Sequence, residues 1–147
     1  MLRGLHCRWN SKIAYTTINT NNSERFQSLR RELGIEGFGM NVITLRPRQR
    51  GRIHDHERQE EVYLVLDGEL TLGVEGEEQV VVKHGVVRVP SGVRRQLVNK
   101  GSSTLILLAL GADGAHTGRD GRAWEAWTDT GAGHAPQDVP LPADLPV

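Results

Sequence analysis

Cysteine is almost missing from this chain. Cys7 is the only one in 147 residues, which excludes an internal disulfide and a cysteine-based zinc cluster, and suits a reducing compartment. A catalytic thiol needs a base partner, and Cys7 is read as an incidental free thiol. Net charge is missing too: 18 Lys and Arg balance 18 Asp and Glu for a formal +0. Composition therefore gives no global attraction to nucleic acid or to an anionic membrane. The longest apolar run, Leu105 to Leu110, is far short of the roughly twenty residues that cross a bilayer. Near the start, Arg3, His6, Arg8 and Trp9 interrupt any apolar stretch that could serve as a secretory signal. Gly-x-Ser-x-Gly, phosphate-loop and dinucleotide-binding glycine patterns are absent, which argues against serine hydrolysis and nucleotide use. The expectation is a cytoplasmic protein that spans no membrane and binds no nucleic acid.

What is present is a succession of short β-type runs. The length suits one domain. Residues 13 to 19 have strand composition, and Asn22 or Ser23 can cap a short helix with Phe26, Leu29 and Leu33 on one face, ended by Gly34. From Gly37 onward, runs at 38–46, 61–66, 69–75, 78–83, 86–90, 95–99 and 104–110 are separated by turn residues. The spacing predicts an all-β sandwich or barrel. Asp67-Gly68 and Glu75-Gly76-Glu77 mark reversals, the first read as a two-residue hairpin turn. Val62 to Leu66 is apolar on both faces, so it needs cover from the helix, the C-terminal segment or a second subunit. A homodimer is favoured on that ground. The barrel core is placed at about 38–110, with an N-terminal extension at 1–37. Residues 111–147 read as an irregular arm that docks through Trp124 and Trp127, kept extended at its end by Pro136, Pro140, Pro142 and Pro146.

The chemistry-bearing residues follow the first of those runs. His54 and His56 are one residue apart, so in a strand both imidazoles project from the same face and can converge on one ion. Glu61 opens the next run and can return a carboxylate to the same place. Two histidines and a carboxylate suit one divalent transition metal, Fe, Mn, Ni, Co or Zn, with coordination positions left free. The stretch HDHERQEEVYLVLDGEL, 54–70, resembles the first motif of the cupin superfamily, met here by His54, His56, Glu61 and Gly68. GVVRVPSGVRRQLVN, 85–99, is similar to the second motif, with Pro90, Gly92 and Asn99 at its marked positions. The resemblance implies an antiparallel jelly-roll β-barrel with a metal bound inside. It leaves the reaction open, because cupins include enzymes of several classes, ligand-sensing modules and storage proteins.

Two departures from the pattern matter. His84-Gly85 stands where the family usually has Gly-Asp, and Arg95 stands where the second motif supplies a further metal-binding histidine. A guanidinium has no lone pair for a cation. Strand parity puts Arg95, Leu97 and Asn99 on one face, which aims Arg95 into the barrel. At about 5 Å and an effective dielectric near 20, it and a divalent ion repel by roughly 6 to 7 kcal/mol. Three arrangements answer this: a metal-free Glu61–Arg95 ion pair, a three-ligand metal with Arg95 holding a small anionic organic molecule, or an Arg95 turned outward. Tyr63 shares the parity of Glu61 and joins Arg95 as a candidate substrate contact. Whether the protein is an enzyme or a ligand-binding module is left open.

Arg46, Arg48, Arg50 and Arg52 recur at every second position. They read as a solvated stripe or an interface with acidic residues, or else as steering for an anionic ligand. Of the histidines outside the motifs, His6, His84, His116 and His134, only His116 is considered as a distant extra ligand.

Overall fold

The computed structural model describes residues 10–21, 23–112 and 120–147. Short alternating segments form ten strands: β1 Phe26–Ser28, β2 Gly39–Leu45, β3 Ile53–His56, β4 Glu60–Asp67, β5 Leu70–Val74, β6 Glu77–Val81, β7 Val86–Val89, β8 Arg95–Val98, β9 Leu105–Ala112 and β10 Gly121–Trp124. They make two five-stranded sheets, ordered β1-β2-β9-β4-β7 and β10-β3-β8-β5-β6, with every pairing antiparallel. Period-two alternation sends Leu45, Tyr63, Val65 and Leu107 of the first sheet against Leu70, Leu72 and Leu97 of the second. Each such side chain contributes roughly 1.5 to 3 kcal/mol on burial. Asn99 is also fully buried and anchors the β8–β9 connection, its amide donating to the carbonyls of Leu45 and Ser103 at 2.8 and 2.9 Å.

The outer face of the first sheet is covered in part. The helix α1, Leu29–Leu33, and the segment carrying Ile18 close over Val42, Ile106, Leu66 and Leu108. Val86, which pairs with Leu64, stays 65% exposed. On the second sheet the C-terminal arm supplies the cover. Trp124 is buried beside Ile53, its cross-strand partner, with the Arg94 guanidinium 3.8 Å from its ring centre. Trp127 lies over Gly73. β10 adds a strand to the sheet, and the arm then runs irregularly except for a 3-10 turn at Pro136–Asp138.

Three local expectations change. The helix begins later than its periodicity predicts: Ser28 is the cap, accepting from the Arg31 amide at 3.2 Å, and Phe26–Ser28 instead pairs with Asn41–Ile43 as a strand. Ser23 does not cap it, and Asn22 lies outside the described residues. Residues 13–19 join no sheet. The Gln27 side chain holds them, bonding the Thr17 carbonyl and the Asn19 amide. Asp67-Gly68 is not a hairpin turn, because β4 and β5 belong to different sheets; it is the corner where the chain crosses between them. Gly68 has φ 75°, and a Cβ there would stand 2.5 Å from the Thr104 carbonyl oxygen. Glu75-Gly76 does close a hairpin, β5 to β6. Among the described residues, no helix is long and apolar enough to cross a membrane.

Candidate metal centre

The two sheets contribute opposite halves of the site. β3 belongs to the second sheet, and its parity turns His54 and His56 inward while Ile53 and Asp55 face the C-terminal arm. Outward Asp55 is buried and takes both its bonds from Arg122, at 2.9 and 2.7 Å. β4 belongs to the first sheet and sends Glu61 and Tyr63 back across the interior. Glu61 thus meets the histidines from the facing wall.

Each imidazole is held by its Nδ1. His54 Nδ1 lies 3.0 Å from the Arg52 carbonyl oxygen and His56 Nδ1 lies 3.0 Å from Asp120 Oδ1. Both partners are acceptors, so both Nδ1 atoms carry the proton and both Nε2 atoms are directed at the site. His54 Nε2 is 3.9 Å from Glu61 Oε1, and His56 Nε2 is 3.5 Å from Glu61 Oε2. One donor atom from each of the three residues falls within 4.8 Å of the others. The donor set fits a divalent transition metal, with two neutral imidazole nitrogens, one carboxylate and a backing acceptor behind each histidine.

Arg95 points inward, which removes the outward arrangement. It is fully buried on β8, the neighbour of β3, and its register partner is His54. Its three nitrogens are all engaged. Nε donates to the Tyr63 hydroxyl at 3.1 Å, Nη1 to the Val93 carbonyl at 2.9 Å, and Nη2 to Glu61 Oε1 at 2.8 Å. The Tyr63 hydroxyl donates to the same Glu61 oxygen. Arg95 therefore reaches the site through Glu61 and Tyr63, and is not among the residues that line the adjoining cavity. Tyr63 does line it, with its hydroxyl already engaged on both sides.

The charges settle accordingly. Burial is the largest influence on Glu61 and opposes ionisation, but His54, His56 and Arg95 together hold its carboxyl well below the ordinary range. Burial likewise pushes His56 down, and Glu61 and Asp120 outweigh it, so its pKa is raised. Burial, then the Glu61 charge, lift the Tyr63 hydroxyl well above its usual value. Burial alone would lower the pKa of Arg95, but Tyr63 and Glu61 raise it.

Asp120 is a residue that sequence reasoning missed. Besides holding His56, its Oδ2 accepts from the amides of Arg58 and Gln59 at 3.0 and 2.9 Å. It thereby fixes the loop that carries the chain from the histidines to Glu61. It lies 64 residues from His56 and belongs to no motif, so only the pairing of β10 with β3 reveals it. His6 and His116 lie outside the described residues. The ring of His84 sits on a turn with φ 69°, and His134 pairs with Ala123 through its backbone.

Two side chains of the arginine stripe grip backbone, and a third residue joins them through its carbonyl. Arg50 Nε donates to the Ala143 carbonyl at 2.8 Å, Arg52 Nε to the Val139 carbonyl at 2.5 Å, and the Arg48 carbonyl accepts from the Leu145 amide at 2.8 Å. The C-terminal segment is strapped in this way over a cavity of about 1080 Å³. His54, His56, Glu61 and Tyr63 form one part of its wall, and Ala135, Pro136, Gln137 and Leu141 close over it.

Comparison with known proteins agrees with this architecture. The sequence profile of the Cupin domain family matches residues 41–111. No protein with a curated function matches the chain. Among solved structures, a candidate sugar phosphate isomerase from Acidithiobacillus ferrooxidans is 27% identical with a TM-score of 0.55, over 58% of this chain and 56% of that one. The chain thus spans little more than half of that relative. A sugar phosphate isomerase from a cupin superfamily, from Silicibacter pomeroyi, is 23% identical with a TM-score of 0.60, over 78% of this chain and 76% of that one. A cupin protein from Bacteroides fragilis is 17% identical with a TM-score of 0.62, over 69% and 84%. With both motifs in order on two facing antiparallel sheets, residues 41–111 of the chain form a domain of the cupin superfamily.

Proposed function

We propose that this protein binds one divalent transition metal through His54, His56 and Glu61, and uses it to hold a small anionic organic molecule in the adjoining cavity. One observation carries the reading: both histidines have Nδ1 tied to an acceptor, leaving both Nε2 atoms facing one carboxylate at 3.5 and 3.9 Å. A bound metal would polarise an oxygen of the ligand as a Lewis acid. The protein's own part is to orient three ligands and keep positions open. Arg95 and Tyr63 both bind Glu61 and set the carboxylate's direction; Arg95 does so from behind, away from the cavity, and Tyr63 from the cavity wall.

Charge favours an anion. A divalent ion beside buried Arg95 faces one carboxylate in direct contact, Glu61, and the surplus positive charge is offset by a negatively charged ligand. The relative at 27% identity is described as a candidate sugar phosphate isomerase, so a sugar phosphate belongs in the first set of anions to be screened, beside simple carboxylates.

Elemental analysis of protein purified without chelator, then reloaded separately with Fe, Mn, Ni, Co and Zn, should find about one ion per chain. His54→Ala and Glu61→Gln should lose it. A wild-type protein that takes up none of these metals would overturn the reading in favour of a metal-free Glu61–Arg95 ion pair. The 2.8 Å contact between those two groups is the observation behind that second reading.

A further inference from the structure

Besides the histidines, the cavity wall carries three arginines, Arg25, Arg30 and Arg52. Its two carboxylates are committed elsewhere. Glu61 is held by Arg95 and Tyr63, and Asp120 by His56 and two backbone amides. Arg25 makes one bond to the Arg50 carbonyl at 3.2 Å and stands 3.9 Å from Asp144, a half-exposed residue. Arg52 uses Nε on the Val139 carbonyl, which engages one of its nitrogens. Arg30 is the most telling of the three. Its Nε is buried and has no hydrogen-bond partner among the described residues. A buried donor without an acceptor is costly, and a partner arriving at it is one arrangement that relieves the cost.

Three guanidinium groups, of which only Arg25 has a carboxylate near it, the half-exposed Asp144 at 3.9 Å, and one of which has an unfilled buried donor, describe a receptor for oxygen-rich anions. Guanidinium forks bind carboxylate and phosphate oxygens through paired N–H donors. The volume of about 1080 Å³ leaves room for a ligand larger than one oxyanion.

We infer that Arg30, with Arg25 and Arg52, forms an oxyanion subsite distinct from the metal centre, so that the ligand has two ends: an oxygen-bearing group at His54, His56 and Glu61, and a terminal phosphate or carboxylate at the arginines. The inference deepens the function proposed above and rests on it for the ligand's first end; the arginine subsite itself is independent of the metal.

The test uses inorganic phosphate and succinate as probes in calorimetric titrations of the full chain, with and without chelator. Chelated wild type should bind at least one probe, and the probe that binds tells phosphate from carboxylate recognition. Arg30→Gln should weaken that binding roughly 10- to 100-fold. Its metal content should match wild type, and its thermal unfolding should verify that it folds. Glu61→Gln, stripped of metal, should retain probe binding. Binding of neither probe, or equal binding by wild type, Arg30→Gln and Arg52→Gln, would overturn the subsite. Failure to load metal while Arg30-dependent binding persists would sink the metal reading alone.

Discussion

Asp120 places two oxygens on three donors, and each oxygen fixes a different part of the candidate metal centre. Oδ1 sets the tautomer of His56, and Oδ2 fastens the loop that spaces the histidines from Glu61. Its carboxyl is held below the ordinary range: burial opposes this, and the Gln59 and Arg58 amides and His56 outweigh it. Replacing it with asparagine leaves one acceptor oxygen where two are needed. Asp120→Asn should weaken metal binding roughly 10- to 100-fold, the usual effect of losing the group behind a ligating histidine, measured by competition with a chromogenic chelator. An unchanged affinity would mean that the loop and ring are held without it. At this scale the sequence was informative wherever strand parity applied. The period of two aimed His54, His56, Glu61 and Arg95 correctly, since a side chain's direction along a strand is local information. It could not show that Arg95 stops behind Glu61, because that depends on Tyr63 and Glu61 arriving from the facing sheet.

At the scale of elements, the corner at Asp67-Gly68 decides how β4 and β5 separate into facing sheets. Gly68 adopts a left-handed φ of 75° with the Thr104 carbonyl oxygen 2.5 Å from any Cβ. Gly68→Ala should cost roughly 2 to 4 kcal/mol, combining the left-handed penalty with a clash against backbone, as read from urea unfolding midpoints. A loss under 1 kcal/mol would mean that the corner yields. His84 also sits at positive φ, 69°. His84→Gly should therefore raise stability by up to about 1 kcal/mol, the steric relief exceeding the added chain entropy; a lower melting temperature would contradict this. The turn dipeptide announced a reversal but not its partner, since pairing across sheets is set by long-range contacts. β1 was hidden for the same reason, its three residues being drawn out of a helical pattern by the edge of β2. β10 is a four-residue strand, GRAW, with too little alternation to stand out before β3 pairs with it.

Across the whole molecule, buried charges at the candidate metal centre bear on the response to pH. Glu61 and Asp120 have folded pKa values below their unfolded ones. Their stabilisation is present above the unfolded values and is lost as pH falls through the folded ones. His56 is raised when folded, so its contribution is complete below its unfolded value and is lost as pH climbs through the folded one. The metal-free protein should therefore lose melting temperature as pH rises above the ordinary imidazole value of about 6.5 and through the raised folded one, and His56→Asn should flatten that decline. Metal affinity should move the other way, because the His56 proton must leave before Nε2 can coordinate. A chelated protein whose melting temperature rises over that interval would contradict the assignment.

The strap above the cavity is gripped by Arg50 and Arg52 through carbonyl oxygens of Ala143 and Val139, and by the Arg48 carbonyl through a backbone amide. Every residue carries a carbonyl, so this anchorage is indifferent to the strap's side chains. Pro136, Gln137 and Leu141 line the cavity and make none of those anchoring bonds. Selection can therefore rewrite the roof of the pocket one side chain at a time, changing which molecule is admitted, while the fastening that keeps the roof in place is inherited intact.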